Sequence, residues 1–345
     1  MTETRTLLQR PAMVLLGIAL AFFVWYVGEV LLVIFAGILL AVALSSASDG
    51  LAARTPLNRG FSLLFVIILA AAGLVGLGFL VVPQAMGELW ALWERMIAIA
   101  GDVQQWAQQF AVLDLPEENG ENGGIGEAML GTVQEAAGAA AGVLMTTLGA
   151  LSTILIIVIL GGFVAADPGQ YLRGLGRLVP QRHRPRVSEV LAKTGHGLRW
   201  WLLGQLVSMA MLGVSTGIGL YLFGIDLWLG LALLTALLTF IPFLGPIIAG
   251  VPIVAVAFAE GLDTGLFVLA FYLVLQNVEG NIITPMIQER AVLMPPALLI
   301  GMQVLFGALF GCPGLILAAP LTVVGMIAVN MLYIEDVLGD EEVLP

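Results

Sequence analysis

Apolar positions run in long unbroken stretches along this chain, and the polar residues are gathered between them. The first stretch, Met13 to Leu44, is 32 residues. As one helix it would be about 48 Å long, against a hydrocarbon core of about 30 Å. Gly28-Glu29 sits near its middle, and the pattern predicts two short spans, about 13–27 and 29–44, joined by a turn there. The rival is a single long tilted helix with Glu29 inside it. Further stretches follow at Phe61–Val82, Val143–Ala166, Trp200–Phe223 and Thr264–Ile283.

Two other stretches are too long for simple spans. Leu227–Ala259 has 33 residues and Ala297–Ile334 has 38. Each is interrupted by a Pro/Gly cluster, Ile241-Pro242-Phe243-Leu244-Gly245-Pro246 in one and Gly311-Cys312-Pro313-Gly314 in the other. Proline lacks an N–H and clashes with the preceding turn, so a helix breaks there. Broken backbone at membrane depth is tolerated only where protein or a water-filled cavity surrounds it. Both segments carry a Phe (Phe240, Phe310), then the break, then a proline after small residues (Pro252, Pro320). This is either an internal repeat or chance likeness between two Gly-rich stretches. Each could be a re-entrant hairpin or a broken span; hairpins are favoured, because Arg290 then shares a side with the other basic loops. The fold class expected is an all-α polytopic membrane protein of about eight transmembrane segments, two of them interrupted.

Composition agrees. Of 345 residues, 60% are hydrophobic and 11% charged, against about 25% charged in soluble domains. That excludes a soluble enzyme and a disordered chain, and the net charge of −11 argues against nucleic acid as a partner. One cysteine, Cys312, and two histidines leave no metal cluster or cofactor site to expect.

Charge gives the organisation. Residues 84–142 hold nine acidic residues against Arg95 alone, a net of eight negative charges. Residues 167–199 hold seven basic residues against Asp167 and Glu189. Three parts result: 1–83 with three spans, an acidic helical insert at 84–142, and a membrane core at 143–345 with the basic loop 167–199. Basic loops prefer the cytoplasm. The expected protein is therefore multi-pass in the plasma membrane, with both termini cytoplasmic and 84–142 extracytoplasmic. The insert's apolar positions, Leu89 to Phe110, recur at helical spacing.

Polar residues inside apolar runs are the candidate chemistry. The run Gln276-Asn277-Val278-Glu279-Gly280-Asn281-Ile282-Ile283-Thr284-Pro285 places a carboxylate and several amides on one broad helical face. A carboxylate in a span costs at least about 2.5 kcal/mol and faces an interior or a partner. The reading is a substrate or ion pathway of Glu279, Asn277, Asn281, Gln276 and Thr284. The helix breaks at Pro242, Gly245, Pro246, Pro285, Pro313, Gly314 and Pro320 would line it; the alternative is that the cluster caps a helix end. Glu29, Asp226 and Asp263 read as interface residues. The pairs Gly213/Gly217 and Gly307/Gly311 fit close helix packing.

Enzymatic readings do not hold. Gly213-Val214-Ser215-Thr216-Gly217 matches G-x-S-x-G, but no histidine follows His196, 19 positions earlier on the same expected helix. No phosphate-binding loop of the G-x-x-x-x-G-K-[ST] type is present, so the chain alone does not hydrolyse ATP.

Gly204-Gln205-Leu206, the Ile241-to-Pro246 break, Asn281-Ile282-Ile283-Thr284-Pro285, Pro295-Pro296 and the Phe310-to-Pro320 break, in this order, resemble the autoinducer-2 exporter family, the PerM-like permeases of bacteria. Its motifs are specific over 200–330. The resemblance implies a secondary transporter or exporter of a small polar solute, an autoinducer-2-like signal being the candidate. Some relatives are instead associated with Na⁺(Li⁺)/H⁺ antiport, so Na⁺ or H⁺ is an alternative partner. Where relatives commonly carry a small-basic pair and then His-Pro, this chain has Glu289-Arg290 and Met294-Pro295-Pro296. A third reading is a non-transporting scaffold acting through the insert. A homo-oligomer is compatible with all three.

Overall fold

The structure is a computed structural model that describes residues 3–73, 76, 152–283 and 294–340, with side chains from residue 26 on and not at 282 and 283. The acidic insert, Thr284, Pro285 and Arg290 lie outside the described residues. The chain divides into two compact units, 1–71 with 157–345, and 72–156. Of the second, only the ends of two helices are described.

Among the described residues every regular element is a helix. The helices are α1 (Glu3–Ala52), α2 (Arg59–Gly73), α3 (Ser152–Ala166), α4 (Pro168–Arg177), α5 (Arg184–Leu222), α6 (Trp228–Leu238), α7 (Leu244–Glu260), α8 (Leu262–Val278) and α9 (Pro296–Val329). Two π-helical segments, Glu279–Ile283 and Asn330–Leu338, extend α8 and α9. Among the described residues four helical stretches are long and apolar enough to cross a membrane, or five if the bent pair α3–α4 is one span. Outward-facing side chains agree: α2 exposes Phe61, Leu64, Phe65, Ile68 and Leu69, an i, i+3, i+4, i+7, i+8 stripe. In water such a patch would drive aggregation, whereas in lipid it is solvated.

The structure corrects the turn expected at Gly28-Glu29. Helix α1 runs unbroken through 50 residues, about 75 Å. Gly28 has a packing role instead. A Cβ built there would lie 2.2 Å from the Phe310 ring of α9. Without a side chain at 28, α1 accepts that ring, and Glu29 stays exposed on the other side. Arg10 lies near the start of α1 and Arg54 just past its far end, so a hairpin does not bring them together. The buried side of α1 supplies Leu32 and Leu39 to the main core, with Trp201 and Leu202 of α5 and Leu317, Val323 and Ile327 of α9.

Helices α5 and α6 form an antiparallel hairpin around Gly224 (φ 75°). Built Cβ atoms at Gly213 and Gly217 would lie 2.7 and 3.0 Å from the Cβ atoms of Ala236 and Ala232. These glycines let the backbones approach, as expected of small residues at membrane helix interfaces. Gly311 differs from that expectation. It holds the kink in α9 at φ 63°, ψ −145°, and has open space around its Cα.

The C-terminal π segment is tied to the polar start of α5. The Arg186 guanidinium donates to Glu335 at 2.7 Å, to Asp336 at 3.1 Å and to the Met331 carbonyl at 2.7 Å. It also donates to Glu189 at 2.9 Å. The basic segment and the chain's C-terminal helix end thus lie together.

Candidate solute cavity at the helix break

The two interrupted stretches fold back at their breaks. Between α6 and α7 the chain turns through Thr239–Phe243, with Phe243 at φ 62°, a region non-glycine residues rarely occupy. A Cβ on Gly245 would sit 1.7 Å from the Leu238 carbonyl oxygen. In α9 a Cβ on Gly314 would sit 2.1 Å from the Phe306 carbonyl oxygen. In a continuous helix, residues seven or eight apart are separated by about 10–12 Å along the axis. Both breaks therefore bring a glycine against a carbonyl that a straight helix would carry away, and only glycine fits.

Folding back frees backbone carbonyls, and three helices satisfy those of the first break. Gln205 of α5 donates its side-chain amide to Thr239 O. Gln303 of α9 donates to Pro242 O at 2.7 Å, and Tyr272 of α8 donates its hydroxyl to Pro246 O at 2.7 Å. Gln303 and Tyr272 are buried. In lipid an unpaired carbonyl costs several kcal/mol, so these donors fix the shape of the break.

Beside the break lies a cavity of about 470 Å³. Trp200, Trp201, Gln205 and Ser208 of α5 form one wall, and Thr239, Pro242, Phe243 and Pro246 the next. Gln276, Glu279 and Gly280 form the third, where α8 passes into its π turn. Such π turns recur at functional sites because they re-aim side chains out of helical register. Met294, Pro296 and Leu299 close the remaining side. The surface is thus largely apolar, with two tryptophans, and a few polar groups converge on it, as in small-molecule sites generally. The Gln276 side-chain nitrogen is buried without a hydrogen-bond partner among the described residues.

The residues expected from sequence separate into two groups. Gln276, Glu279, Pro242 and Pro246 meet at the cavity, and Gly245 makes the tight approach behind it. Asn277 and Asn281 do not line it. They are exposed and donate to carbonyls of their own helix, Leu273 O at 2.8 Å and Asn277 O at 3.1 Å. Pro313, Gly314 and Pro320 shape the second break in α9 and also stand away from the cavity. Sequence reading missed Trp200, Trp201, Thr239, Tyr272 and Gln303. Gln303 and Tyr272 carried a usable signal: each is a lone polar residue inside an apolar run, which must find a partner.

The profile described as AI-2E family transporter matches residues 13–334. The chain belongs to that family. Among curated relatives, YrrI of Bacillus subtilis is 35% identical over 147 residues, 43% of this chain and 42% of its own. PerM of Escherichia coli is 27% identical over 170 residues, 49% of this chain and 48% of its own. YhhT of Escherichia coli is 30% identical over 183 residues, 52% and 51% of the two chains. YrrI and YhhT are named as transport proteins and PerM as a permease. The chain thus matches about half the length of these relatives. With the apolar helices described above, family membership makes this a multi-pass membrane protein of a transporter family.

Proposed function

We propose that this AI-2E family member is a secondary transporter that exports a small polar solute, an autoinducer-2-like polyhydroxylated signal being the candidate. The cavity at the α6–α7 break is the solute site. The observation that carries this reading is the convergence of Gln276 and Glu279 on a broken segment whose carbonyls are already held by Gln205, Gln303 and Tyr272. The break is pre-formed by these donors and does not depend on a solute. Its hydroxyls meet the Gln276 amide and the Glu279 carboxylate, while its carbon skeleton lies against Trp200 and Trp201.

The two fold-back breaks support a repeat, one half rocking against the other around the cavity. The extracytoplasmic insert at 84–142 and an inner-membrane location complete the proposal. The contact of Arg186 with Glu335 and Asp336 supports one shared side for residues 167–199 and the C-terminus, and basic loops favour the cytoplasm.

The test is flux of a small solute panel by the purified full chain in liposomes, with and without sodium and pH gradients. Transport of a polyhydroxylated solute that falls at least about tenfold in Glu279→Gln is expected. Equal flux of every solute in the variant and the parent chain removes Glu279 from the site. Strict dependence on a sodium gradient with no solute movement favours antiport instead.

A further inference from the structure

Helix α4 stands at a sharp angle to the helix before it. It follows α3 after Asp167 and is bent 86° from it. The turn is well made: the Asp167 carboxylate accepts the Gln170 N–H at 3.0 Å, and Pro168 takes the first helical turn, where a missing N–H costs nothing. Helix α3 shows lipid-type side chains almost to that corner, with Ile159 49% and Phe163 67% exposed. If α3 runs through the bilayer, α4 lies nearly in its plane.

The side chains of α4 suit that position. At about 100° per residue, Tyr171, Leu172, Leu175 and Leu178 fall on one side of the helix, and Gln170, Arg173 and Arg177 on the other. No residue of α4 is buried. Leu178, just past the helix end, is 82% exposed. Helices of this kind lie at the headgroup level with their leucines among the acyl chains, and an aromatic hydroxyl such as that of Tyr171 prefers the same depth. Among the described residues Arg173 pairs with the exposed carboxylate of Asp167, at 3.8 Å. A loose contact of this kind leaves its guanidinium free for phosphate.

We propose that α4 is an interfacial anchor that binds the surface of an anionic bilayer. Tyr171, Leu172, Leu175 and Leu178 insert below the headgroups, and Arg173 and Arg177 hold lipid phosphates. The partner is the lipid surface itself. The proposal is independent of what the cavity carries.

The experiment uses the full chain with Cys312→Ser, which removes the native thiol. Nitroxide labels are placed one at a time at Gln170→Cys, Leu172→Cys and Leu175→Cys. The protein is placed in nanodiscs of phosphatidylglycerol or of phosphatidylcholine, and collisions with oxygen and with a water-soluble nickel chelate are measured. Labels at 172 and 175 are expected to favour oxygen several-fold and the label at 170 to favour nickel. The 175 label is expected deeper in phosphatidylglycerol than in phosphatidylcholine. That difference is expected to vanish when Arg173→Gln and Arg177→Gln are added. Three results overturn the proposal: nickel reaching all three labels alike, neither reagent reaching 172 and 175 (a protein cover), or equal depth in both lipids.

Discussion

Gln303 of α9 donates its side-chain amide to the carbonyl of Pro242, 61 residues earlier, across 2.7 Å. It ties the second interrupted stretch to the break in the first. The glutamine is fully buried, so water cannot replace it. Gln303→Leu keeps the volume roughly similar but leaves the carbonyl unpaired. The expected loss is about 1–3 kcal/mol of stability, read as a lower melting temperature in detergent. Solute flux should fall further than stability alone explains, because Pro242 lines the cavity. A melting temperature and flux equal to those of the parent chain would mean the contact does not shape the break.

Glycine at 245 is required by space rather than by flexibility. Its φ is ordinary, yet a Cβ would meet the Leu238 carbonyl at 1.7 Å. That obstacle is backbone and cannot step aside. Gly245→Ala should cost at least about 1–3 kcal/mol as overpacking and should abolish flux. Gly301→Ala is the matched control, since nothing lies within 4 Å of a Cβ there. It should leave stability unchanged or raise it by up to about 1 kcal/mol, the helix advantage of alanine. Thermal unfolding of both variants, side by side, checks the contrast.

Glycine at 28 has a different neighbour. The atoms in its way belong to the Phe310 ring, a side chain that can be changed. Gly28→Ala alone should lower stability by pushing the ring out of place. Phe310→Leu alone should lower it by lost burial. The double variant should be less harmed than the two losses added together, with a coupling of roughly 0.5–3 kcal/mol. Strict additivity in a denaturation series would separate α1 from the α9 break.

These residues also mark what could be read in advance. The two breaks were legible, because proline cannot continue a helix and the clusters interrupt otherwise uniform apolar runs. Gln276 and Glu279 were legible as polar groups beside a break, and both reach the cavity. Asn277 and Asn281 share their helical face only on an ideal 3.6-residue wheel. The π turn that begins at Glu279 changes that register from there on; Asn277 precedes it and, like Asn281, donates to the carbonyl one turn back along its own backbone. The turn at Gly28 was misread because sequence shows that a glycine is present but not whether a turn or a neighbour requires it. The donors Tyr272 and Gln303 were visible as isolated polar residues. Their partners were not, because those lie 26 and 61 residues away.

Arg186 offers a test of how the C-terminal segment is held. Four groups converge on its guanidinium: Glu335, Asp336, Glu189 and the Met331 carbonyl. Its planar fork can serve several oxygens at once, which an ammonium cannot. Arg186→Lys should therefore release the segment almost as fully as Arg186→Gln, although the charge is kept. Hydrogen exchange of the amides in 330–338 should quicken in both variants and stay unchanged in Arg177→Lys, whose side chain lies on α4. If Arg186→Lys exchanges like the parent chain, charge alone holds the segment. If neither Arg186 variant moves, the π segment is held by its apolar contacts, of which Met331 in the main core is the deepest.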